Sequence, residues 1–257
     1  MKIHILGICG TFMGGLARIL VQSGHTVSGS DYQFYPPMSD QLEDLDLQLI
    51  SGYAADQLPQ ADLYIIGNNL SRGNESVEKI LDKNFPYQSG PRMLGSILQD
   101  RKVVAISGTH GKTTTTSLIV HLFKEAGIDV GFLIGGVCNN LEHSAHLGSD
   151  DIFVIEADEY DSAFFDKRSK FIHYHPKTLL INNLEFDHAD IFSSLSDIKK
   201  QFHHLLRLMS SKSTLIFPEH NINIKNVMKM GFYSQSLPFN TKFARGWHAK
   251  KLSLIHI

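Results

Sequence analysis

The chain has 257 residues, of which 42% are hydrophobic and 19% charged, with a formal charge of −2. That length suits one large or two ordinary domains with a core of useful size. The near-neutral balance excludes bulk attraction to nucleic acid or to an anionic membrane, so any phosphate binding has to come from local geometry.

Residues 2–6 are an apolar run of strand length, residues 7–15 a glycine-rich loop, and residues 16–22 a helix. Residues 25–30 form a second strand that ends at Asp31, and residues 63–66 a third. A loop over 67–74 precedes a helix over 75–84. The charged break Gln99-Asp100-Arg101-Lys102 marks a boundary at about residue 99. A second unit then runs through a strand at 103–106, a tight loop, and a helix over 112–126 that Gly127 ends. Strands at 152–155 and 178–181 are of the fully buried kind, followed by a helix over 195–209 and a strand at 214–217. Strands alternating with helices predict parallel α/β sheets. The expected fold is an N-terminal Rossmann-like parallel-sheet domain over 1–99, followed by a P-loop α/β central domain over 100–257. Apolar periodicity fades after Gly231, so the second domain reads as incomplete, with exposed apolar edges.

The strongest chemical signal is Gly108-Thr109-His110-Gly111-Lys112-Thr113-Thr114, between a strand and a helix. Glycines let backbone N–H groups turn inward around phosphate oxygens, and the helix N-terminus adds partial positive charge. Lys112 would reach the outer phosphates of ATP and the Thr113 hydroxyl would ligate Mg²⁺. The general motif has a glycine where Ile106 stands, so this loop is a variant. The bland alternative is a glycine turn that merely starts a helix.

A buried strand leads into Glu156-Ala157-Asp158-Glu159-Tyr160-Asp161. Hard oxygen ligands suit Mg²⁺, which takes one or two carboxylates. Glu156, first after the strand, is the candidate ligand, whereas Glu159 reads as part of a solvated loop. The strand at 178–181 leads in the same way to Asn182, Asn183, Asp187 and His188. His188 is a candidate for a second metal or a phosphate, set against the ordinary structural role of a lone histidine.

The N-terminal loop, with Gly7, Gly10, Thr11, Gly14 and Gly15, is a loose relative of the dinucleotide fingerprint. Asp31 stands where an acidic residue meets a ribose hydroxyl. This loop fits NAD, FAD or a sugar nucleotide, or glycines kept for packing alone. The two cysteines, Cys9 and Cys138, make neither a disulfide framework nor a metal spacing. With no signal-like N-terminus and no apolar run of membrane-span length, a cytoplasmic setting is expected.

Together, the N-terminal glycine loop, the run from Gly108 to Thr116, Glu156-Ala157-Asp158-Glu159, and Asn183-Leu184-Glu185-Phe186-Asp187-His188 resemble the Mur ligases of peptidoglycan synthesis. Longer stretches point to the branch that recycles murein peptides. They are Tyr35-Pro36-Pro37-Met38-Ser39, Arg72-Gly73-Asn74, residues 158–161 and 164–170, and Gln201-Phe202-His203-His204. The resemblance implies a first domain for the UDP part of UDP-N-acetylmuramate, held by Gly7, Gly10, Thr11, Gly14 and Asp31. It implies a second domain for ATP and Mg²⁺, with Thr113, Glu156 and His188 as metal ligands and Lys112, Glu156 and His188 as catalytic residues. A third domain would receive the amine. The implied reaction joins UDP-N-acetylmuramate to the murein tripeptide, L-alanyl-γ-D-glutamyl-meso-diaminopimelate, through an acyl phosphate. L-Alanine is the competing acceptor. Some relatives use a carbamylated lysine, and neither Lys199 nor Lys200 aligns well enough to take that role. Nothing in the sequence corresponds to the third domain, so the chain as given is expected not to ligate. A dinucleotide-binding oxidoreductase and a non-catalytic nucleotide-binding module are the readings from other classes, and the first leaves Gly108–Thr116 unexplained.

Overall fold

The computed structural model describes residues 1–137, 141–186 and 192–239. Cys138, Asp187 and His188 therefore lie outside the described residues, as does the tail after 239.

In the first half the elements are β1 (Lys2–Leu6), α1 (Thr11–Gln22), β2 (Thr26–Asp31), α2 (Met38–Glu43), β3 (Gln48–Ser51), β4 (Leu63–Ile66), α3 (Glu75–Asp82), β5 (Tyr87–Ser89) and α4 (Gly90–Ile97). The strands form a five-stranded sheet in the order β3-β2-β1-β4-β5. Every pair in it is parallel. β1 is central because its apolar run can be covered on both faces; Ile3, Ile5 and Leu6 are essentially inaccessible. The glycine loop is shorter than the sequence predicts, since α1 already begins at Thr11. Gly14 and Gly15 lie within the helix because its turns pack too closely for side chains. A Cβ on Gly14 would stand 2.5 Å from Met38 Cε, and one on Gly15 would stand 3.1 Å from Ala145 Cβ. Leu16, Ile19 and Leu20 of α1 are fully buried, each contributing about 1.5–3 kcal/mol of apolar burial.

The second half contains β6 (Lys102–Ser107), α5 (Lys112–Glu125), β7 (Gly131–Leu133), β8 (Ala145–His146), β9 (Ile152–Glu156), β10 (Asp161–Ala163), β11 (Asp166–Ser169), β12 (Thr178–Ile181), α6 (Leu195–Leu208), β13 (Thr214–Pro218), α7 (Ile222–Lys229) and β14 (Gln235–Phe239). Seven strands order as β14-β13-β12-β6-β9-β7-β8, and β10 and β11 make a separate antiparallel hairpin. All pairs of the large sheet are parallel except β7 with β8. β6 is central, flanked by β9 and β12, so the loop after β6 opens between two other strand ends.

β14 lies where the periodicity fades. It pairs with β13 through its backbone, and its first three residues are exposed, so no apolar alternation was there to read. Leu237 on this strand is 38% exposed. One core cluster runs through both halves, joining Leu16 and Leu94 to Val103, Leu133, Ala145 and Phe171.

Candidate active site at the phosphate loop

Gly108 and Gly111 adopt φ of 130° and 77°, in the region that favours glycine. A Cβ on Gly108 would also lie 2.9 Å from the Asn183 carbonyl, so the loop can pass the end of β12 only without a side chain. No side chain caps the start of α5, which leaves its first-turn N–H groups directed toward the loop. Asn183 grips His110 from both sides. Its Oδ1 accepts from the His110 N–H at 2.8 Å and its Nδ2 donates to the His110 carbonyl at 3.2 Å. Asn182 donates to the Thr115 hydroxyl at 2.9 Å, and the Thr109 hydroxyl donates to the Glu185 carbonyl at 3.2 Å. Thr114 lies in the first turn of α5 on the exposed side.

The Lys112 ammonium folds into this loop, donating to the carbonyls of Gly108 at 2.7 Å and Thr109 at 3.3 Å. Glu159 Oε2 lies 3.6 Å from it. Glu159 corrects the sequence reading. It is 2% exposed, not solvated, with its carboxylate beside the Lys112 ammonium.

Thr113 donates its hydroxyl hydrogen to Glu156 Oε1 at 3.0 Å, and the Gly135 N–H donates to Glu156 Oε2 at 2.8 Å. A Cβ on Gly135 would sit 2.9 Å from that oxygen, so this glycine makes the approach possible. The other acidic residues of the segment each have a lysine. Asp158 has Lys170 at 3.0 Å, Glu159 has Lys112, and Asp161 has Lys167 at 2.9 Å. Glu156, among the described residues, is held by neutral donors. A hydroxyl and a carboxylate at adjoining element ends are hard oxygen donors in the number Mg²⁺ takes from protein, so the donor set fits that ion. Among the described residues no group of three or more His, Cys, Asp or Glu is arranged to hold a metal. His188, expected as a further ligand, lies outside the described residues. Tyr174 is fully buried nearby, and burial with the charges of Asp158 and Glu156 raises its phenol well above the ordinary range.

At the N-terminal loop Gly7 has φ of 83° and donates its N–H to the Ser30 carbonyl at 2.9 Å. Gly10 and Thr11 stand at the start of α1 with no side-chain cap. Asp31 braces this loop from within. Its carboxylate accepts from the N–H of Cys9 at 2.9 Å, the N–H of Tyr32 at 2.8 Å and the Tyr53 hydroxyl at 3.2 Å. Burial and Asp31 push the Cys9 thiol up to about 12, which excludes it as a thiolate nucleophile at neutral pH. Sequence reasoning named Asn183 without giving it a role, and missed Gly135 and the buried state of Glu159. The asparagine pair directly after a buried strand was the one available signal.

A parallel sheet with a phosphate loop at its centre, a hydroxyl–carboxylate pair beside it, and a second parallel sheet with a glycine loop define a nucleotide-dependent α/β enzyme class. The chain belongs to the Mur ligase family. Residues 2–102 match the model described as the Mur ligase family catalytic domain, and residues 106–251 match the Mur ligase middle domain. It is 57% identical over 255 residues to the UDP-N-acetylmuramate–L-alanyl-γ-D-glutamyl-meso-2,6-diaminoheptandioate ligase of Escherichia coli K12, covering 98% of this chain and 55% of that one. It is 50% identical over 235 residues to the ligase of the same name from Haemophilus influenzae, covering 91% and 52%. A crystal structure of the corresponding ligase from Neisseria meningitides superposes with a TM-score of 0.93 at 46% identity, covering 98% of this chain and 81% of that one. The chain thus spans about half the length of the curated relatives it matches. Among the described residues no helix is long and apolar enough to cross a membrane.

Proposed function

We propose that this chain carries the UDP-sugar and ATP sites of a ligase that joins UDP-N-acetylmuramate to L-alanyl-γ-D-glutamyl-meso-diaminopimelate in peptidoglycan recycling. Residues 1–99 form the UDP-sugar unit and residues 100–257 the ATP unit. The observation that carries the reading is Glu156, held opposite Thr113 at 3.0 Å by neutral donors beside an uncapped loop–helix junction. The 57% identity to a ligase with the tripeptide in its name favours that acceptor over L-alanine.

A carboxylate is a poor electrophile, and phosphorylation makes it an acyl phosphate that an amine can attack. That transfer needs positioning and charge neutralisation more than a protein nucleophile. The loop of Gly108, Thr109, His110 and Gly111 shapes the cradle, its Thr109 and His110 N–H groups held by Asn183, and the N–H groups of Gly111 and the first turn of α5, Thr114 included, face the phosphates. Lys112 exchanges the Gly108 and Thr109 carbonyls for the outer phosphates. Thr113 and Glu156 would hold Mg²⁺, whose charge would offset that of the phosphates when bound. His188 would be a further ligand. Gly7, Gly10 and Thr11 receive the UDP diphosphate, with Gly14 packing α1 behind them and Asp31 holding the loop in shape. ATP and UDP-sugars as substrates put the reaction in the cytoplasm.

Equilibrium titration with Mg²⁺ plus a non-hydrolysable ATP analogue, with UDP-N-acetylmuramate, and with NAD tests this. The first two are expected to saturate and NAD is not. NAD binding without UDP-N-acetylmuramate binding would overturn the reading in favour of an oxidoreductase.

A further inference from the structure

Lys170 stands where the two halves of the molecule meet, and nothing in the reaction above uses it. It begins the short turn Lys170–His173 after β11, and its side chain is 12% exposed. The ammonium has three attachments. It donates to Asp158 Oδ2 at 3.0 Å, lies 5.7 Å from the centre of the Tyr160 ring, and lies 5.6 Å from the centre of the Phe12 ring. Its backbone N–H donates to the Tyr160 carbonyl at 2.9 Å. Asp158 and Tyr160 belong to the segment that follows Glu156, whereas Phe12 is in the first turn of α1, directly after the N-terminal glycine loop. One mostly buried charge therefore links the loop of one sheet to the acidic segment of the other.

The physics favours a brace over a stray surface lysine. An ammonium within about 6 Å of a ring face is attracted by the ring quadrupole, the more so as water is excluded. Taking it out of water without these partners would be unfavourable. The link also holds Phe12 in place. A Cβ on Gly90 would lie 2.9 Å from Phe12 Cε1, so the ring sits in a slot shaped for it.

We propose that Lys170 is a positioning residue that couples the two ligand sites. It fixes the start of α1 against the segment after Glu156, so that filling one site raises the affinity of the other. This inference rests on the two-site reading above. An acyl phosphate forms only if the sugar carboxylate on one half and the γ-phosphate on the other reach a fixed separation. The ligand that binds first sets that separation through Lys170, and the second has less ordering left to supply. By linkage the coupling is the same whichever ligand binds first.

The test is the Kd of UDP-N-acetylmuramate measured without and with saturating Mg²⁺ and a non-hydrolysable ATP analogue. In the unmodified chain the nucleotide is expected to tighten sugar binding about fivefold or more. In Lys170→Met that ratio is expected to fall to within about twofold of one, while each ligand alone binds within about threefold of normal. Lys170→Arg, which keeps the charge and the ring contacts, is expected to restore much of the ratio. A purely structural role would lower stability or weaken each ligand alone and leave the ratio intact, and that result would overturn the proposal. So would a ratio near one in the unmodified chain. Should Lys170→Met fail to fold, Phe12→Leu removes the ring alone, and an unchanged ratio there overturns the proposal equally. Failure of either ligand to bind the unmodified chain sinks the two-site reading itself, a different outcome from ligands that bind without coupling.

Discussion

Thr113 and Glu156 meet at 3.0 Å across the gap between the first turn of α5 and the last residue of β9. The pairing follows from register, because β6 and β9 run parallel with Ile106 opposite Glu156. That register brings the strand end level with the loop that leads into α5. The carboxylate lacks a lysine partner among the described residues, whereas Asp158, Glu159 and Asp161 each have one.

This relationship predicts the behaviour of Glu156→Gln. Without the charge the pair keeps its shape and loses its affinity for a divalent cation. Mg²⁺ is expected to tighten binding of an ATP analogue to the unmodified chain by about tenfold or more, equivalent to about 1.4 kcal/mol. In the variant that gain is expected to vanish, with metal-free binding little changed. Titrations with and without Mg²⁺ read this directly, and an undiminished gain would remove Glu156 from the metal site.

Asn183→Ala removes the two hydrogen bonds that this side chain makes to the His110 backbone. Their net worth is about 1–2 kcal/mol, so nucleotide binding is expected to weaken about tenfold as the loop loses its prepared shape. UDP-N-acetylmuramate binding, on the other sheet, should stay within about twofold. Equal loss at both sites would mean that Asn183 supports the fold in general, not this loop.

How much of this was legible in the sequence depends on distance along the chain. The phosphate loop could be read because its glycines, Lys112 and Thr113 are neighbours whose joint chemistry is local. Glu156 could be read because it ends an apolar run. Gly135 arrives only through a crossing loop, which no local pattern encodes, and Asn183 was marked only by its place after a buried strand, its reach to His110 coming from the parallel pairing of β12 with β6. Glu159 misled because four carboxylates within residues 156–161 read as a solvated run; its burial depends on Lys112 lying 3.6 Å away. β14 escaped because an edge strand is held by backbone bonds to β13, not by apolar alternation.

His4 gives a prediction about pH. It is fully buried in β1, with its ring nitrogens paired to the hydroxyls of Ser28 at 2.8 Å and Ser30 at 2.9 Å. Burial lowers its pKa from 6.5 to about 4. Between these values the unfolded chain binds the proton and the folded one does not, so stability is lost as pH falls from about 6.5 toward 4. By pH 5 the loss from this one group is about 2 kcal/mol. Urea unfolding at pH 7.5 and pH 5 should show a smaller difference in His4→Asn than in the unmodified chain. Identical differences would mean that His4 titrates normally when folded.

The central claim is that the loop around Lys112 closes on the phosphates of ATP. The most direct measurement is the Kd of a non-hydrolysable ATP analogue with Mg²⁺ for the unmodified chain and for Lys112→Ala, with UDP-N-acetylmuramate binding as the control for folding. The account predicts a loss of about a hundredfold or more, about 2.7 kcal/mol, in nucleotide affinity alone. Equal nucleotide affinity in the two proteins, with the sugar nucleotide bound normally, would contradict it.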